Sequence, residues 1–142
     1  MNYVYIGFFC IVATALFAIT VGSGIKNSVI SGVLGGIGYI TYLLINLHSA
    51  EATAVFIATF IICLMAEILA RVMKTPSTIF SIPAILPLVP GLMLYKTLLV
   101  FGNGDTLGGL EKSIDTLIVA GSLSLAVTIA TLLAKLIFKR KK

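Results

Sequence analysis

The chain has 142 residues, 59% of them hydrophobic and 11% charged, with a mean hydropathy of +1.15. A soluble domain of this length has too little interior to hide that much apolar surface, so the composition excludes one and calls for surrounding lipid. The formal charge of +5 does not indicate nucleic acid: Lys135, Lys139, Arg140, Lys141 and Lys142 crowd the end of one apolar run without interleaved aromatics, which reads as membrane topology.

Five apolar runs follow in chain order, and they predict an all-α membrane protein with a single five-span domain over residues 1–142. The first, residues 3–21, lacks the positively charged start of a secretory signal and is long, so the expectation is a retained transmembrane helix closed by Gly22, Ser23 and Gly24. The second, residues 28–47, carries Ser28, Gly32 and Gly36 at intervals of four, with Ser31, Gly35 and Gly38 beside them. Small residues at that spacing let helix backbones approach closely where lipid supplies no hydrophobic force, either within one bundle or across a homo-oligomer interface. The third run, residues 52–72, ends before Lys74, Thr75 and Pro76. It holds Glu67, four residues before Arg71 on the same helix face. A charge inside a span costs at least about 2.5–3.5 kcal/mol at the bilayer centre, so this pair is either a structural ion pair near the cytoplasmic interface or a coupling or gating group.

The fourth run, residues 77–101, is the most informative. At 1.5 Å per residue it is long enough to cross a hydrocarbon core of roughly 30 Å, yet Pro83, Pro87, Pro90 and Gly91 fall within nine residues of it. Proline has no N–H, so an unbroken helix would leave the carbonyls of Ile79, Pro83 and Leu86 without their ordinary donors. Broken backbone survives at membrane depth only against protein or a water-filled cavity, and a span interrupted near its middle is a common construction of a transporter's binding site. Helix resuming after Gly91 would offer free N–H groups and a positive dipole end to a carboxylate. Lys96, little more than a turn later, either snorkels to the surface or acts as a counter-charge. Thr75, Ser77, Thr78 and Ser81 precede the break as caps or entrance residues. A loop is expected over residues 102–112, followed by the fifth run, residues 114–138, with a weaker small-residue face at Gly121, Ser122, Ser124, Ala126, Thr128 and Thr131.

With five crossings, Lys26, Arg71, Lys74, Lys135, Lys139, Arg140, Lys141 and Lys142 share one side, and only Lys96 and Lys112 lie on the other. This asymmetry predicts a cytoplasmic C-terminus and an outside N-terminus. The tyrosines lie mainly near span ends, with Tyr39 turned to the interior. Cys10 and Cys63 fall inside spans, far from any paired spacing, and read as small apolar fillers. The single histidine, His48, has no carboxylate or cysteine cluster beside it, and no metal spacing, nucleophile elbow or phosphate loop is present, so neither an enzyme nor a cofactor or metal site is expected.

The run EILAR at 67–71, KTP at 74–76 and PAILPLVPG at 83–91, together with Tyr95, resembles the threonine/serine exporter (ThrE) family, in particular its C-terminal membrane half, which also occurs as a separate YjjB-type small subunit. The resemblance implies an exporter of threonine and serine in the bacterial inner membrane, driven by an ion (proton) gradient, with Pro83, Pro87, Pro90, Gly91, Tyr95 and Lys96 in substrate binding or translocation and Glu67 and Arg71 in coupling or gating. It also implies a larger partner subunit with a cytoplasmic domain and its own five spans. Split members of the family are associated with dicarboxylates, which leaves a succinate-like substrate, or a scaffold that does not itself transport, as alternatives. Five is odd, so two consecutive units of this size would face opposite ways, as in the inverted repeats of many secondary transporters.

Overall fold

The computed structural model describes residues 3–139, with side chains over 5–138; Met1, Arg140, Lys141 and Lys142 lie outside the described residues. Every regular element described is helical: α1 (Tyr3–Thr20), α2 (Ile25–Asn46), α3 (Glu51–Met73), α4 (Thr78–Ile85), a 3-10 turn (Leu86–Leu88), α5 (Gly91–Gly102) and α6 (Thr106–Lys139). Among the described residues α2, α3 and α6 are each long and apolar enough to cross a bilayer, and α4 with its 3-10 turn and α5 would make a fourth crossing bent by 45°. The apolar α1 is shorter, at 18 residues. The chain is therefore a multi-pass helical membrane protein. Large apolar side chains such as Phe8, Phe9, Leu98, Leu117 and Leu136 point outward, as lipid-facing positions do.

Helix α2 supplies the close-approach surface. Ser28, Ser31, Gly32, Gly35, Gly36 and Gly38 are buried, and the face lies mainly against α1. A Cβ at Gly32 would sit 2.7 Å from the carbonyl oxygen of Ile11 and 2.9 Å from the Ala15 Cβ. Those glycines are thus consumed by packing inside the chain, with Gly38 facing Ile62 of α3. On α3 the row Ala54, Ala58, Ile62, Ala66 and Ala70 is buried at intervals of four, and together with Leu34, Phe80, Ala84 and Leu88 most of it forms the central apolar cluster.

Two stretches of the sequence reading are corrected. The predicted loop at 102–112 shrinks to a short turn, because the Asp105 carboxylate accepts a 2.9 Å hydrogen bond from the Gly108 N–H and starts α6 at Thr106. At 34 residues α6 is about 50 Å long, more than the hydrocarbon core needs, so it is tilted or protrudes. The small-residue face expected on that helix is also different. Of its six residues Ala126 is buried and Ser122 and Thr131 are half-buried, but Gly121, Ser124 and Thr128 are exposed, and Val119, Ala130 and Ala134 complete the buried side. The alanines win because a spacing of four keeps them on one stripe, and α6 packs that side of the bundle against α3.

The turn after α3 has a local cause. Lys74 adopts a left-handed conformation (φ 54°) and the Thr75 N–H bonds the Ala70 carbonyl at 3.0 Å, ending the helix just before Pro76. Further along, the hydroxyls of Thr97 and Thr116 meet at 3.3 Å, a buried polar link between α5 and α6.

Candidate functional site

The interruption falls later than proline count alone suggests. Helix α4 continues through Pro83 and ends at Ile85; the chain tightens to 3-10 over Leu86–Leu88 and leaves helix at Val89 and Pro90. Each carbonyl that a proline deprives of its ordinary donor finds another. The Ile79 carbonyl, four residues before Pro83, accepts from the Ser31 hydroxyl of α2 at 3.2 Å. The Pro83 carbonyl accepts from the Leu86 N–H, and the Leu86 carbonyl accepts from the Val89 N–H at 3.2 Å. Unpaired carbonyls at this depth would cost several kcal/mol, so this pairing is what lets the break exist in a membrane.

The donor side of the break is different. Pro90 occupies the N-cap of α5 and offers no side-chain cap. The Gly91 N–H bonds the Val89 carbonyl at 2.7 Å and the Leu94 N–H bonds the Pro90 carbonyl at 3.1 Å. Between them, among the described residues, the N–H groups of Leu92 and Met93 carry no partner. These are the orphan donors and positive dipole end that a helix start presents.

Leu92 and Met93 line a cleft of about 250 Å³ together with Tyr39 and Tyr42 of α2, Glu51 and Val55 of α3, Pro87 to Pro90, Lys96 and Val119 of α6. Two adjoining cavities, of about 200 and 230 Å³, share Glu51 and Met93 with it and add Lys112, Asp115 and Thr116. Together they form a vestibule bearing both signs of charge. The Tyr42 hydroxyl donates to Glu51 Oε1 at 3.3 Å. Glu51 and Lys96 form no ion pair with each other; among the described residues Glu67–Arg71 is the salt bridge present. The other side of Pro87 faces a groove of about 360 Å³ lined by Ile6, Phe9, Cys10 and Ala13, which is apolar and suits acyl chains. Pro83 borders a third space of about 310 Å³ with Gly22, Ser23 and Thr78, at the opposite end of α4.

Glu67 and Arg71 belong to that opposite end. Glu67, 9% exposed, accepts from the Ser77 hydroxyl at 2.7 Å and from Arg71 Nη2 at 3.4 Å. The same Arg71 nitrogen reaches the Ala134 carbonyl at 3.5 Å, and its guanidinium lies 3.9 Å from the centre of the Phe138 ring. Four side chains thereby tie the end of α3 to the start of α4 and the end of α6. Glu51 and Glu67 sit at opposite ends of α3, about 24 Å apart along its axis.

The proposed site residues therefore divide into three groups. Pro87, Pro90 and Lys96 meet in the cleft, Pro83 and the Glu67–Arg71 pair lie toward the other end, and Gly91 and Tyr95 are exposed outside the cleft lining, Tyr95 at 59%. Sequence reasoning missed Glu51. Its signal is faint, a carboxylate in the first turn of α3 just after a short connection, where an acid ordinarily serves the helix dipole alone.

A bundle of apolar helices with one bent, proline-interrupted pair and a charged cleft at the bend defines a membrane transport protein of the broken-helix kind. The sequence profile of the threonine/serine exporter family (ThrE) matches residues 7–133, and the chain belongs to that family. It is similar to the threonine/serine exporter of Corynebacterium glutamicum, with 27% identity over 124 residues, covering 87% of this chain. The chain spans about a quarter of the length of that curated relative (25%). No solved structure matches it.

Proposed function

We propose that this chain is the small membrane subunit, a half-transporter, of a bacterial inner-membrane exporter that moves threonine and serine outward on a proton gradient. The reading is a non-enzymatic one. Its partner is a larger subunit of the same family with a cytoplasmic domain and five crossings of its own, and the two halves face opposite ways. On this reading the whole chain is one five-span domain: α1, α2, α3, the bent α4–α5 pair and α6 each cross once, with the N-terminus outside. The 18 residues of α1 reach about 27 Å, close to the roughly 30 Å of hydrocarbon.

The observation that carries this reading is the cleft at the break, lined by Lys96 and by Leu92 and Met93, whose N–H groups at a helix start are unpartnered among the described residues. That combination binds a carboxylate. At about 250 Å³ the cleft is smaller than the 300–1,000 Å³ usual for drug-sized ligands and fits a small metabolite. The Glu67–Ser77–Arg71 cluster acts as the gate at the cytoplasmic end, since closing α3, α4 and α6 together there shuts the route while the cleft is open to the outside.

The test is efflux of labelled threonine from preloaded cells carrying the chain with its partner. Replacing Pro87 and Pro90 together by Ala restores both missing N–H groups and lets helix propagate across the break. Efflux is expected to fall at least tenfold while the protein still reaches the membrane. An unchanged rate with normal assembly would favour a scaffold that does not transport.

A further inference from the structure

The cleft holds a feature that neither the carboxylate site nor family membership accounts for, a carboxylate of its own: exposed Glu51 shares the lining with exposed Lys96. Glu51 and Lys96 line the same space, together with Leu92 and Met93 at the start of α5. The two side chains form no salt bridge with each other, so each is left to engage something else. Tyr42 holds Glu51 through Oε1 at 3.3 Å, and among the described residues Oε2 has no hydrogen-bond partner. Tyr39 packs against Tyr42, ring centres 5.6 Å apart, and steadies the wall from which that hydroxyl reaches.

Resting on the reading that this cleft carries the exported solute, we infer that Glu51 is the residue that receives the substrate's ammonium group, and that it selects zwitterionic amino acids over dicarboxylates. An acid opposite a base in one small cavity is complementary to a molecule with one charge of each sign a few ångströms apart. A dicarboxylate in the same pose would satisfy Lys96 and the helix start, but its second carboxylate would lie against Glu51. Like charges at contact distance disfavour that pose strongly, and opposite charges favour the zwitterion by a similar amount. Asp115 lines the two adjoining cavities, in one of them with Lys96 and Lys112, whereas in the lining of the cleft itself Glu51 is the carboxylate.

The experiment measures transport of labelled threonine and labelled succinate, side by side, in everted vesicles containing the chain and its partner subunit. Glu51→Gln keeps the side chain's size and removes its charge. It is expected to lower the threonine-to-succinate ratio at least tenfold, whereas Glu51→Asp and Asp115→Asn keep the ratio near that of the unaltered protein. Because a ratio is read, a variant that merely assembles poorly lowers both rates and leaves it in place. Should Glu51→Gln not reach the membrane, Tyr42→Phe, which releases Glu51 without removing it, carries the test with an expected smaller fall in the same ratio. A ratio unmoved by Glu51→Gln, with threonine still transported, overturns the assignment of Glu51 and leaves the exporter reading standing. Unaltered protein that moves succinate and not threonine overturns both the assignment and the threonine/serine substrate, and leaves an exporter of small carboxylates. Transport of neither solute overturns both readings.

Discussion

Ser31 and Pro83 are expected to be energetically coupled, although 52 positions separate them in the chain. Pro83 removes the N–H that would serve the Ile79 carbonyl, and the Ser31 hydroxyl takes its place at 3.2 Å. Ser31→Ala leaves that half-buried acceptor unpaired. Stranding such a group in a protein interior costs about 1–3 kcal/mol, whereas side-chain bonds between membrane helices average roughly 0.6 and reach about 1.7 kcal/mol. The Ser31 hydroxyl also lies 2.9 Å from the Asn27 carbonyl. It has one proton to divide between the two acceptors, which puts the expected cost near 1 kcal/mol. In a Pro83→Ala background residue 83 regains its N–H, the Ile79 carbonyl has its ordinary helical donor, and Ser31→Ala should cost only a few tenths of a kcal/mol. The loss of the buried Pro83 ring cancels in the cycle, since it appears in both Pro83→Ala proteins. The assay is reversible unfolding of the four proteins in mixed detergent, followed by circular dichroism. Unrelated sites add to within about 0.3–0.5 kcal/mol, so an equal cost of Ser31→Ala in both backgrounds would refute the proposed exchange of donors.

Three further variants have expected outcomes. Gly32→Val should destabilise the bundle by more than about 2 kcal/mol in the same unfolding assay, because its Cβ meets the Ile11 backbone oxygen at 2.7 Å and backbone yields little; Gly91→Ala, with nothing within 4 Å of its Cβ, should change stability and efflux little. Glu67→Gln keeps the Ser77 hydrogen bond and removes the charge facing Arg71, whose side chain is 40% exposed, so stability should change by less than about 1 kcal/mol. If the cluster gates or couples export, threonine efflux in that variant should nevertheless lose its response to a protonophore; retention of that response would assign Glu67 a purely structural role.

Much of the architecture is legible in the one-dimensional pattern. The ends of α1, α2 and α3 fall within a few residues of the apolar runs, because membrane crossing imposes a length and the flanking polar, glycine and proline residues stop it. The break is legible too, since proline's missing donor is a property of the residue itself. The start of α6 was not, because a glycine-rich stretch with acids and threonine reads as loop until one knows that Asp105 turns back to cap it. The Asp105–Gly108 bond is local, but the stretch contains no apolar periodicity to advertise a helix. Glu51 is hidden for another reason: nothing near it in sequence distinguishes a helix-start acid from a site acid.

Composition, run length and proline spacing thus determine by themselves that this is a multi-pass helical membrane protein with one proline-interrupted apolar run, because lipid solvation and a missing N–H act on each residue wherever the chain goes. Only the tertiary structure decides how the interruption is tolerated and what it faces. The Ile79 carbonyl is satisfied by a hydroxyl from another helix, and the charges of Glu51 and Lys96 share a cleft because α3 and α5 are packed into one bundle. Hydrogen bonds and charges act over a few ångströms, and it is packing that brings distant parts of the chain within that range.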